Sequence, residues 1–112
     1  MEITVREKGS VVIMDLVGHF TIYDITDIEN IWNGYLKKNI MVMALNCREI
    51  QFIDSSAIGS LVKMVNLVTG FGIQVIFYDL GEPVQRVFAV TGLNRILNIM
   101  TAAAFEERFA VR

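Results

Sequence analysis

The stretch Asn46-Cys47-Arg48-Glu49-Ile50-Gln51-Phe52-Ile53-Asp54-Ser55-Ser56-Ala57-Ile58-Gly59-Ser60-Leu61-Val62 brings two hydroxyls and a carboxylate into one strand-to-helix junction. Apolar residues from Met41 to Leu45 precede it, and a helix-period pattern through Ile58, Leu61, Val62 and Val65 follows. A serine at such a turn is expected to cap the helix, its oxygen accepting a first-turn N–H that lacks an intrahelical partner. The same place would tolerate a phosphate well. First-turn N–H groups and the positive end of the helix dipole both face it.

Upstream, Ile3 to Arg6 and Val11 to Gly18 flank the turn Glu7-Lys8-Gly9-Ser10, which reads as a hairpin with Gly9 at the permissive backbone position. From Asp24 to Lys38, the residues Ile25, Ile28, Ile31 with Trp32, and Tyr35 with Leu36 recur at helical spacing, with Asp24 or Thr21 available at the start and Lys37-Lys38-Asn39 at the end. Ile40 to Asn46 is a continuous apolar run, as expected of a strand covered on both faces.

Downstream, Thr69-Gly70-Phe71-Gly72 ends the Ser55 helix, and Ile73 to Tyr78 reads as a strand. Asp79 to Pro83 turns the chain into a helix whose buried side is expected to hold Val84, Val87, Phe88 and Val90, stopping at Gly92. Ile96 to Met100 reads as a last strand, and Ala102, Phe105 and Phe109 line a last helix. The order ββαβαβαβα predicts one α/β domain over residues 1–112, a mostly parallel sheet with an antiparallel N-terminal hairpin and helices packed on it. In such sheets sites gather at the carboxyl ends of strands, so the turn Gly18-His19-Phe20-Thr21 and the turn at Asp54 are expected to share one rim.

Composition narrows the function classes. A net charge of −2 on 112 residues, with a pI near 5.3 and scattered Lys and Arg, gives none of the basic field that nucleic acid selects. The single cysteine, Cys47, excludes an internal disulfide and any cysteine-rich zinc site, and fits a reducing cytoplasm. Apolar runs are interrupted, as by Asp15, well short of the ~18 residues of a membrane span. Met1 to Glu7 does not read as a signal peptide. A hydrophobic content of 54% and a mean hydropathy of +0.48 are high for so small a chain. Apolar surface left over for a partner, a second copy included, is expected.

Catalytic constellations are missing from the sequence. His19 is the single histidine, no Gly-x-Ser-x-Gly elbow surrounds Ser55 or Ser60, and Gly70-Phe71-Gly72 enters a strand instead of opening a phosphate-binding helix. Asp54 ends a strand like a receiver phosphoacceptor, but the neighbouring carboxylates that would hold Mg²⁺ are absent. No enzyme, metal or cofactor is expected. From spacing alone Ser55 reads first as an N-cap contributing about 1 kcal/mol, and Asp54 as a second cap or dipole partner. His19 reads as a turn residue, Cys47 as a small buried hydrophobe, and Trp32 and the methionines as core or interface filling. Periodicity does not choose between cap and switch.

The string Phe52-Ile53-Asp54-Ser55-Ser56-Ala57-Ile58-Gly59 resembles the hallmark of STAS domains, specifically the bacterial anti-sigma factor antagonists, whose Asp-Ser-Ser-Gly-Leu-Gly-like turn carries a regulatory phosphoserine. The hairpin ending in Gly18 and the segment Val84 to Leu93, similar to the family's helix ending in a hydroxyl residue, Gly and Leu, extend the resemblance over nearly the whole chain. It implies Ser55 as phosphoacceptor, Ser56 as the secondary one, and Thr21, Asp54, Ser55, Ser56, Ala57 and Ile58 as a partner-binding surface. The implied partners are an anti-sigma factor that is also a serine kinase and a PP2C-type phosphatase that resets the switch, in a bacterial cytoplasm. Two positions depart from the pattern. Ala57 stands where the family usually has glycine, and Thr21 where it often has an acidic residue linked to kinase handling. A STAS module acting purely as a scaffold, in a signalling or transporter complex, is the rival reading. A nucleotide-binding domain using the helix N-terminus is a third.

Overall fold

Lys8 and Val11 pair across the two-residue turn Gly9-Ser10, closing β1 (Glu2–Lys8) onto β2 (Val11–Phe20) as an antiparallel hairpin. Gly9 has φ +58°, the left-handed conformation that a two-residue hairpin turn requires of its first residue. The computed structural model describes residues 1–110, so the last two positions of the expected 1–112 span lie outside the described residues. Beyond the hairpin come α1 (Ile25–Asn33), β3 (Val42–Ile53), α2 (Ile58–Gly70), β4 (Gln74–Tyr78), α3 (Glu82–Thr91), β5 (Asn98–Met100) and α4 (Ala102–Phe109).

The five strands form one sheet in the order β1-β2-β3-β4-β5, antiparallel at β1-β2 and parallel elsewhere. Right-handed crossovers that advance one strand at a time must leave all their helices on one face. Accordingly Ile25, Ile28 and Trp32 of α1, Leu61, Met64 and Val68 of α2, and Val84 and Phe88 of α3 share a core with Met14, Leu16, Met43, Leu45, Val75 and Phe77 of the sheet. Trp32 is buried there with its indole N–H donating to Met14 Sδ at 2.7 Å, so its one polar atom is satisfied. Each such large side chain contributes about 1.5–3 kcal/mol by leaving water.

The opposite face is covered by α4, where Phe105 lies among Val11, Ile13, Val42, Ala44, Ile76 and Tyr78. Its ring stacks on Tyr78 with centroids 3.9 Å apart. Thr101 caps α4, its hydroxyl oxygen accepting from the Ala104 N–H at 3.1 Å.

Four expectations are corrected. The first helix ends at Asn33, not Lys38. Gly34 weakens the helix, and the chain leaves it through three-residue turns, Tyr35 N–H to Trp32 O and Lys38 N–H to Tyr35 O. The third strand runs on to Ile53, well past Asn46. The last strand begins at Asn98, after a 3₁₀ turn over Leu93–Arg95. Val90, assigned above to the buried side of its helix, is 88% exposed. It sits two positions past Phe88, about 200° around the helix from it.

Candidate functional site

β3 pairs with β4 only from Val42 to Asn46, while its second half pairs with β2 alone. The carboxyl ends of β2 and β3 therefore extend beyond β4 as a two-stranded ribbon. Register shifts lie at Asp15/Val17 and at Gly18/His19, where β3 spends an extra residue each time. Each irregularity resets which side chain faces inward. Cys47, Ile50 and Ile53 thus all point into the core at intervals of three. The ribbon ends at the pair Phe20 and Ile53, and the Asp54 N–H donates to Phe20 O at 2.8 Å. This places the turn after Phe20 and the turn at Asp54 side by side on one rim, as expected. The upstream turn, however, begins only at Thr21. His19 lies within β2, its ring 5.7 Å from that of Phe52, and is not a turn residue.

At the downstream turn the cap is Asp54 and not Ser55. Asp54 is extended (φ −78°, ψ 125°), and its Oδ1 accepts the Ser56 N–H at 2.9 Å. Ala57 N–H donates to Asp54 O, and a 3₁₀ turn over Ser55–Ala57 leads into α2. Ser55 and Ser56 are exposed, Ile58 is half-buried, and Ala57 is fully buried in right-handed helical backbone, where the change from glycine carries no conformational cost. The Ser55 hydroxyl has no hydrogen-bond partner among the described residues.

Thr21 is half-buried at the other turn. Its N–H and its hydroxyl both donate to Asp24 Oδ2, at 2.7 and 3.0 Å, which opens the 3₁₀ turn Ile22–Asp24. The turn after β2 thus carries a carboxylate, but one already engaged by Thr21.

Apolar side chains left in water flank these polar groups: Ile22, Tyr23 (86% exposed), Phe52 and Val90. Ser55 also lines a groove of ≈ 210 Å³ together with Arg86, Val87, Val90 and Thr91 of α3. Sequence reasoning missed α3 as part of this edge. The helical phase of Val90 was the available signal, since it falls outside the stripe set by Val84 and Phe88.

Cys47 is buried, and desolvation, followed by the nearby Asp79 charge, pushes its thiol up to about 12, so it stays protonated and inert. Among the described residues no three of His, Cys, Asp or Glu are grouped as metal ligands, and no helix is long and apolar enough to cross a membrane.

The architecture defines a small α/β module with an exposed hydroxyl turn at the carboxyl end of its central strand. The family model for the STAS domain matches residues 2–106, and the chain belongs to the STAS family. Among solved structures it is similar to a protein of Thermotoga maritima described as an anti-sigma factor antagonist (22% identity, 97% of this chain and 95% of that one, TM-score 0.81). It is also similar to the anti-sigma factor antagonist SpoIIAA in its unphosphorylated form (17% identity, 99% of each chain, TM-score 0.79). The phosphorylated form of SpoIIAA, a Bacillus cell fate determinant, aligns at 16% identity over 96% of this chain and 98% of that one, with a TM-score of 0.71. At these identities the likeness carries the fold. Comparison with curated proteins finds no sequence match.

Proposed function

We propose that this chain is an anti-sigma factor antagonist switched off by phosphorylation of Ser55. The observation that carries this reading is that the Ser55 side chain is exposed and unengaged while Asp54 beside it holds the helix cap, so Ser55 is available for modification without a cost in local structure. In the unmodified state Thr21, Asp54, Ser55, Ser56 and Ile58, with buried Ala57 keeping the turn tight, dock on an anti-sigma factor that is also a serine kinase. Exposed Tyr23, Phe52 and Val90 supply desolvating apolar area. The bound sigma factor is then released.

In the off step the kinase transfers the γ-phosphoryl group of ATP to Ser55 Oγ. A bond forms between Oγ and phosphorus, the bond from phosphorus to the β–γ bridging oxygen breaks, ADP leaves, and the hydroxyl proton passes to a base of the kinase. The product adds a charge of about −1.5 to −2 beside the Asp54 carboxylate. Burying that dianion against the partner is costly, and like charges repel, so the complex dissociates. A PP2C-type phosphatase restores the hydroxyl. The chain itself is the substrate and the binder.

The engaged carboxylate of Asp24, in a turn where Thr21 replaces the family's acid, favours a second reading as a scaffold that binds without being phosphorylated. Incubation with ATP and the candidate partner kinase, followed by mass spectrometry, separates the two. Phosphate on Ser55 supports the switch. A stable complex with an active kinase and no phosphate supports the scaffold.

A further inference from the structure

Arg86 lines the same groove as Ser55, yet it is committed elsewhere in the unmodified protein. Its Nη2 donates to Glu82 Oε1 at 2.7 Å, an i,i+4 pair in which both side chains are more than two-thirds exposed. Such pairs contribute little, because water competes for both charges and two long side chains must be held still. A phosphate is a stronger acceptor than a lone carboxylate. It offers three oxygens and nearly two charges, and the planar guanidinium matches it through two parallel N–H donors.

The groove they share is also lined by the apolar side chains of Val87 and Val90, with Val90 largely in water. A guanidinium stem drawn across them would cover that surface as it reached the phosphate. Asp54 pushes in the same direction, since its carboxylate next to a phosphorylated Ser55 makes a nearby cation more valuable.

We propose that Arg86 is the internal receptor for a phosphate on Ser55: modification draws Arg86 away from Glu82, ties the Ser55 turn to α3 and closes the groove over Val87 and Val90. This rests on the phosphorylation reading above, and it adds to charge repulsion a second cause of partner release, the removal of apolar docking surface.

The test avoids any kinase. Phosphoserine is genetically encoded at position 55 of the full chain, and the second phosphate ionisation is followed by phosphorus NMR. The expected value lies about half to one pH unit below that of the same protein carrying Arg86→Gln. Arg86→Lys should be intermediate, Glu82→Gln should equal or fall below the parent, and Arg108→Gln, on α4 across the sheet, should match the parent. Equal values for the parent and Arg86→Gln overturn the receptor role while leaving phosphorylation of Ser55 standing. Failure of a partner kinase to modify Ser55 sinks the switch but leaves the difference between these two proteins intact.

Discussion

The Asp54 carboxylate reaches over Ser55 to accept the amide N–H of Ser56 at 2.9 Å, so the cap falls on the side chain next to Ser55 and not on the serine itself. Losing the cap by Asp54→Ala leaves that amide without its acceptor and should cost about 1 kcal/mol, whereas Ser55→Ala, at an exposed and unengaged position, should stay within about 0.5 kcal/mol of the parent. Urea denaturation of the two variants measures the difference. A Ser55→Ala cost equal to that of Asp54→Ala would return the cap to Ser55.

Partner affinity should divide the Ser55 variants the other way. Ser55→Ala keeps the neutral surface and should bind the anti-sigma factor constitutively. Ser55→Asp adds one charge at the proposed docking rim and should bind on the order of tenfold more weakly, a difference of about 1.4 kcal/mol. Both remain folded, because aspartate is compatible with the first turn of a helix. Calorimetry giving equal affinities would sink the switch.

How much of this was legible in the sequence depended on whether local pattern or long-range pairing set each feature. The hairpin at Gly9 and the stop at Gly92 (φ +77°, a left-handed helix end) are local, and both were read correctly. The second half of β3 was missed because its buried residues Cys47, Ile50 and Ile53 recur every three positions, a helical interval. Irregular pairing with β2 produces that interval, and no window of β3 alone contains it. At the site, the cluster of Asp54, Ser55 and Ser56 was visible, but the capper was misassigned because aspartate and serine are almost equally good caps. Arg86 was invisible as a neighbour of Ser55, since only the crossover from β4 through α3 brings it to that edge.

On the α4 face, Asp15 accepts Arg6 Nε at 2.6 Å, Arg6 Nη2 at 2.9 Å and Asn46 Nδ2 at 2.8 Å. Burial works to raise its pKa, but the hydrogen bonds from Arg6 and Asn46 and the Arg6 charge outweigh it and hold the carboxyl below the ordinary range. A carboxyl depressed in the folded state stabilises above its unfolded pKa of about 3.9, and that stability is lost as pH falls through the lower folded value. Asp15→Asn should therefore lose about 1 kcal/mol at neutral pH, discounted for the partial exposure of Arg6, and show a flatter decline below about pH 4. Parallel acid profiles for the two proteins would remove Asp15 from the acid limb.

Cys47 offers a direct probe of how tightly the ribbon that carries the site is held. Its side chain is 1% exposed between the sheet and the helices, and its S–H lies 3.5 Å from Leu45 O. With the thiol pushed up to about 12 by burial and then by the Asp79 charge, both access and thiolate fraction suppress reaction. A disulfide reagent at pH 8 should label the native protein at least about a thousandfold more slowly than the urea-unfolded chain, since labelling must wait for an opening that exposes the core. Because Cys47 sits where the β2-β3 ribbon leaves the support of β4, the rate reports separation of that ribbon from the sheet. If the ribbon opens independently, labelling will be faster than global unfolding permits and insensitive to low urea. If it opens only with the whole molecule, the rate will rise with urea along the global unfolding slope. Labelling of the native protein as fast as that of the unfolded chain would overturn the burial of Cys47 itself.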